Sequence, residues 1–186
     1  MHGVPWNRPL VGSIAGMSEQ ASSPAMRRDD DPPVDTGDSP PVALTAVVVA
    51  AVVAGLVTRF VTTSSLWLDE ALSVNIASLP VGDIGEALRH DGHPPLYYLL
   101  LHGWIEVFCT GDLAVRSLSG LFATVTLPLA YVAGRRRGGH TAGLITLGVF
   151  AAAPFAVRYA TETRMYALVI LLVLIGYLLL DDIVGA

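Results

Sequence analysis

VALTAVVVAAVVAGLVTRFV, the stretch from Val42 to Val61, decides the fold. As a helix rising about 1.5 Å per residue it spans roughly the 30 Å of a bilayer's hydrocarbon. Its only charge, Arg59, lies near one end. Immediately beyond it comes Leu66-Trp67-Leu68-Asp69-Glu70-Ala71. Two adjacent carboxylates are costly to place in hydrocarbon, but at its wet edge they stay ionised and within reach of a lipid-linked substrate.

The rest of the chain repeats the apolar theme. Of 186 residues, 53% are hydrophobic and 15% charged, against about 25% charged in an ordinary soluble domain. Mean hydropathy is +0.57. The apolar residues fall in separate runs: 42–61, then 115–134 (charge-free from Ser117), 141–157 and 166–180. Each is near the roughly 17-residue lower limit for a span once its flanks are counted. These runs predict an all-α, polytopic membrane helix bundle of about four transmembrane helices, with the lipid bilayer as its first partner. The net charge of −5 comes partly from an acidic N-terminal segment, and no stretch is basic enough for nucleic acid. A single cysteine, Cys109, excludes an internal disulfide.

Residues 1–41 are rich in Ser, Pro, Gly and Asp and read as a disordered cytoplasmic tail. Leu10 to Gly16 is too short and too polar for the core of a secretory signal, and Met17 and Met26 are alternative starts.

The cluster Arg135-Arg136-Arg137 sets the orientation, because short arginine-rich loops stay in the cytoplasm. The stretch Leu96 to Phe108 decides the parity. It is short and carries His102 and Glu106, and a mid-bilayer charge costs about 2.5–3.5 kcal/mol. As a helix from residue 95 to 108 it lines up Tyr98, His102 and Glu106 on one stripe, with leucines, Tyr97 and Trp104 elsewhere. One reading is a helix lying in the membrane interface; the alternative is a short span whose stripe packs inside the bundle. With an interfacial helix there are four spans and a cytoplasmic N-terminus, in a multi-pass protein of the plasma membrane. The loop 62–114 and the loop Arg158 to Arg164 are then both extracytoplasmic. With a fifth span they face opposite sides.

Within residues 62–114, Trp67 to Ser78 reads as a short juxtamembrane helix, closed by Pro80, with Asp69 and Glu70 in its first turn. A second short helix runs from Val81 to His90, and Asp91-Gly92-His93-Pro94-Pro95 forms a turn. Asp69 and Glu70 serve either as helix-capping acids or as chemistry. His90, His93 and Asp91 are a weak metal signal. His93, its backbone fixed by the two prolines after it, is the better candidate for holding a phosphate or an acceptor. Arg116 either snorkels to headgroups or binds a ligand. In Arg158-Tyr159-Ala160-Thr161-Glu162-Thr163-Arg164, the arginines match phosphate geometry, and the alternative is an Arg/Tyr interface anchor.

Three segments in this order and spacing carry a resemblance: Leu66-Trp67-Leu68-Asp69-Glu70, His93-Pro94-Pro95-Leu96-Tyr97-Tyr98, and Glu162-Thr163-Arg164-Met165-Tyr166. With Ala114-Val115-Arg116-Ser117 and Gly134-Arg135-Arg136, they resemble the N-terminal part of glycosyltransferase family 39-like membrane proteins. These are relatives of the protein O-mannosyltransferases with the GT-C fold. The resemblance covers about Val42 to Leu180. It implies an inverting glycosyltransferase that moves a sugar from a polyprenyl-phosphate donor to an acceptor hydroxyl of a glycan, glycolipid or protein. Asp69 would be the general base, and Glu70 would position the acceptor or assist the base. Arg164, with Arg158, Tyr159 and His93, would hold the donor phosphate. Glu162 stands where some relatives carry an acidic metal ligand, so Asp69 and Glu162 would supply oxygen ligands if a divalent metal is used.

Members of this family are usually much longer, so the chain is expected to be a fragment or an N-terminal portion with poor activity alone. The rival expectation is a non-catalytic membrane subunit pairing with a full-length relative. A transporter fragment fits less well, because the ionisable residues sit at span ends instead of mid-membrane.

Overall fold

The computed structural model describes residues 39–61, 65–89 and 93–185. The predicted tail, apart from its last three residues, and His90 and Asp91 lie outside the described residues. Every described element is a helix: α1 Val42–Phe60, α2 Leu68–Ala77, α3 Val81–Arg89, α4 Pro95–Phe108, α5 Asp112–Ala152, α6 Pro154–Ala160 and α7 Tyr166–Gly185. Three of them, α1, α5 and α7, are long and apolar enough to cross a membrane. Their outer faces carry exposed valine and leucine, such as Val49, Val53 and Val57 on α1 and Leu172 and Val173 on α7. Such a surface suits hydrocarbon far better than water.

The sequence predicts separate runs at 115–134 and 141–157. In the structure both belong to α5, which starts earlier and doubles back on itself. At its middle Gly138 and Gly139 leave the helical conformation, and Gly139 has φ 72° with ψ −166°, a conformation that strongly favours glycine. The two arms then lie side by side. Gly143 packs on the ring of Tyr131, Gly134 packs against Thr146, and the Tyr131 hydroxyl meets His140 Nδ1 at 2.8 Å.

The close approaches fix the directions. Val48 of α1 lies against Gly148 and Gly55 against Ala151, so α1 runs alongside the second arm of α5 in the same sense. Phe60 covers Gly120 near the start of α5. At the far end Arg136 and Arg137 pair with Asp182 and Asp181 of α7. One end of the bundle therefore holds the close of α1, the start of α5, α6 and the turn before α7. The other end holds the Gly138–Gly139 reversal and the close of α7.

The second arm stops at Ala153 because Pro154 has no N–H to continue the ladder. That leaves the Phe150 and Ala151 carbonyls to Arg59, whose guanidinium donates to them at 2.9 and 3.1 Å. Arg59 is only 2% exposed, so the one charge of α1 is held inside the protein by these two carbonyls, with its Nε buried and without a hydrogen-bond partner.

Helices α2, α3 and α4 cover the first-described end. Ile76 and Ala77 of α2, Ile84 and Leu88 of α3, and Tyr97, Tyr98 and Leu101 of α4 pack on Val115 and Leu118 of α5 and on Leu168 of α7. Pro95 at the first position starts α4. The polar stripe of α4 does not act as a unit. Tyr98 is buried, His102 Nδ1 meets the Ala77 carbonyl at 2.7 Å, and only Glu106 is exposed. The α2 and α3 helices take the polar side, and the exposed face of α4 is apolar: Leu96, Leu99, Leu100, Val107 and Phe108.

Candidate functional site

The two acids that are neighbours in sequence part company in space. Successive residues on a helix point about 100° apart, so the first turn of α2 turns Glu70 inward and Asp69 outward. Glu70 is 2% exposed and its carboxylate is saturated. Oε1 accepts from Arg116 Nε at 2.9 Å and from the Thr163 N–H at 2.8 Å. Oε2 accepts from an Arg116 terminal nitrogen at 2.6 Å and from the Trp67 N–H at 3.0 Å. The Trp67 bond is the backward half of a capping box, so Glu70 also starts its own helix. Burial alone would push this carboxyl up. The Arg116 guanidinium and the two backbone N–H groups outweigh burial and hold it below its usual value.

The resemblance implies that Glu70 positions the acceptor or assists Asp69 as base. The structure gives it a different task, because all four of its lone-pair sites are occupied by protein donors. It is the tie between α2, the head of α5 and the turn before α7. Arg116, weighed from the sequence as a headgroup anchor or a ligand contact, is its buried counter-ion at 3% exposure. No local pattern announces this pair, because 46 residues separate its members.

That tie aims Arg164. Glu70 holds the Thr163 N–H, and the Ser119 hydroxyl donates to the Arg164 carbonyl at 3.3 Å while itself meeting the Tyr97 hydroxyl at 3.0 Å. The Arg164 N–H bonds back to the Glu162 carbonyl at 2.8 Å. From this fixed turn the Arg164 guanidinium reaches Asp69 Oδ2 at 2.8 Å, across 95 residues of sequence. Asp69 itself remains 62% exposed. Beside them, Arg158 Nε donates to Glu162 Oε1 at 2.9 Å, one helical turn on.

Trp67, Asp69, Glu70, Arg158, Glu162 and Arg164 line one cleft of about 110 Å³. A second cleft of about 320 Å³ adjoins it and shares Arg158, Glu162 and Arg164. Tyr159 belongs to this second cleft, tilted against Tyr166 with ring centroids 4.7 Å apart, and Arg164 lies over the same Tyr166 ring at 5.4 Å. Five of the seven candidates named from the sequence thus share the first cleft, and Tyr159 stands next to it. His93 does not join them. It lies half-buried beside Tyr98, 6.4 Å between ring centroids, outside the lining of both clefts. Trp67, which the sequence offers only as part of a motif, forms a wall and is 72% exposed.

The fit to a divalent metal is poor. Asp69 and Glu162, the proposed oxygen ligands, are each engaged by an arginine. Among the described residues no group of three or more histidine, cysteine, aspartate or glutamate side chains comes together. Two guanidinium groups between two carboxylates instead form a surface able to take an anionic group and a hydroxyl together. No protein-family model, curated protein or solved structure matches the chain, so what it does must be argued from these residues.

Proposed function

We propose that the chain is a glycosyltransferase, or the N-terminal catalytic part of one, that moves a sugar from a polyprenyl-phosphate donor to an acceptor hydroxyl. The observation that carries this reading is the Asp69–Arg164 pair, which joins the first and last of the three motif segments of the family 39 resemblance in one cleft. Asp69, exposed on the cleft wall, accepts the proton of the acceptor hydroxyl as that oxygen attacks the anomeric carbon. The bond from the anomeric carbon to the phosphate oxygen breaks, and its electron pair leaves with the polyprenyl phosphate. Arg164 and Arg158 take the developing negative charge. In this scheme the donor phosphate draws Arg164 away from Asp69, which frees the carboxylate for the hydroxyl. Attack from the face opposite the leaving phosphate inverts the sugar.

The membrane arrangement belongs to the same proposal. It counts four crossings: α1, the first arm of α5, its second arm continued by α6, and α7. The Arg135 to Arg137 corner is cytoplasmic by the positive-inside rule, and the cleft opens on the other face.

Two experiments test the scheme. In membranes where the chain supports transfer, Asp69→Asn lowers the rate by roughly 10²–10⁴-fold, the usual contribution of a general base. Full transfer by that variant ends the assignment. Single cysteines at Ser65 and Thr161 are labelled from outside the cell and one at Gly138 only from the cytoplasm, with Cys109 replaced. Labelling of Ser65 and Thr161 from opposite sides ends the topology.

A further inference from the structure

Arg59 is a buried cation that the proposed chemistry does not use. It lies on α1, a helix suited to hydrocarbon, and its side chain is 2% exposed. A Cβ at position 55 would stand 2.6 Å from Arg59 Nη1, so Gly55 clears the way for the guanidinium to cross to α5. There it donates to the Phe150 and Ala151 carbonyls, while Nε stays buried with no hydrogen-bond partner. Two carbonyls offer partial charge only. Among the described residues Arg59 pairs with no carboxylate, whereas Arg116, the other buried arginine, has Glu70. A buried ion with no counter-ion is costly to keep.

The same residue lines a small cavity where α1, both arms of α5, α6 and α7 meet. Its other walls are mainly apolar, with Ala123, Leu127, Phe150, Ala156 and Ile170 among them. Thr126 is the exception, and its hydroxyl already donates to the Phe122 carbonyl at 2.9 Å. The centre of a water-sized particle has about 10 Å³ to move in, which is room for about one such particle.

Size, apolar walls and unbalanced positive charge together limit the occupant. A polyatomic oxyanion lacks the several donors that its oxygens require. A water meets Nε and the Thr126 oxygen but leaves the charge unopposed. A monoatomic anion opposes the charge, and against the apolar walls it leaves no polar group of its own unpaired.

We propose that this cavity is a halide site, in which chloride is the counter-ion of Arg59 and locks α1 to the break between α5 and α6. The site stands apart from the Asp69–Arg164 cleft and does not depend on the glycosyltransferase reading.

The test uses the purified full chain in nonionic detergent, with sodium chloride exchanged for sodium gluconate at constant ionic strength to hold screening fixed. Thermal unfolding reads stability, and the chlorine NMR line width reads binding. A ligand at a hundred times its dissociation constant favours the folded state about a hundredfold, so the wild-type midpoint rises by at least about 5 °C in chloride. Ala156→Leu, which fills the cavity from a half-buried position, and Arg59→Gln each abolish the rise and the line broadening. Arg158→Gln, in the open clefts, leaves both intact. Equal wild-type midpoints in the two salts, or an unbroadened line, overturn the proposal in favour of a water. Chloride dependence that survives Ala156→Leu overturns it even where Arg59→Gln fails to fold. Loss of the dependence in Arg158→Gln moves the halide to the clefts and overturns it as well.

Discussion

The two ends of the bundle are both rich in ion pairs, yet they are built on different principles. At the Gly138–Gly139 end, Arg136 and Arg137 reach Asp182 and Asp181 in water, with Arg137 also over the Tyr177 ring at 5.4 Å. Every partner there is at least about a quarter exposed. At the cleft end one pair, Glu70–Arg116, is almost wholly buried, and around it Asp69–Arg164 and Arg158–Glu162 stay open to solvent. The first end pins neighbouring helices with pairs that solvent weakens. The second uses a buried pair as a fixed post and leaves its remaining charges available. Exposed pairs each contribute roughly 0–1 kcal/mol, whereas removing one partner of a buried pair leaves an uncompensated charge inside.

Mutation separates the two ends on that basis. Glu70→Ala strands the Arg116 guanidinium and releases the Thr163 and Trp67 N–H groups, so it costs about 3–5 kcal/mol. Denaturant unfolding of the purified chain in mixed micelles reads this directly, and a loss under 1 kcal/mol would mean the post is not one. Acid gives the second contrast. The Glu70 carboxyl is held below its ordinary value of 4.5, so its stabilisation is complete above that value and is lost as pH falls through the lower folded value. Thermal stability should therefore be insensitive to Glu70 from neutral pH down to about 5, then drop more steeply in the wild type than in Glu70→Gln. Parallel melting curves of the two proteins over that range decide it. The smallest effect belongs to the opposite end: Arg136→Gln with Arg137→Gln costs no more than about 1 kcal/mol per pair and fades in high salt. A larger, salt-independent loss in the same unfolding assay would erase the distinction.

What the sequence makes legible follows from local physics. The apolar runs mark the long helices, and Pro80 and Pro94-Pro95 punctuate the short ones because proline ends one helix and starts the next. The gathering of Asp69, Arg158, Glu162 and Arg164 is legible through the paired apolar runs, since two antiparallel arms between two loops return them to one end of the bundle. Which member of the acidic doublet stays open to the cleft is not legible. That depends on what faces each side of α2, and Arg116 comes from a helix that begins far along the chain. The stripe on α4 misleads for a related reason: a polar row can be matched by other helices as well as by water. Glycine gives a partial signal, with Gly138-Gly139 marking a corner but not that the arms on either side touch.

Arg59 carries a consequence for biosynthesis. The carbonyls that receive it come from Phe150 and Ala151, and the longer of these contacts spans 92 residues. At a synthesis rate of about 5–20 residues per second, those acceptors leave the ribosome roughly 5–20 s after the first hydrophobic segment does. For that interval a full positive charge waits at the edge of the lipid, reaching toward headgroups until its permanent seat arrives. The earliest of the three long apolar helices is therefore among the last to settle.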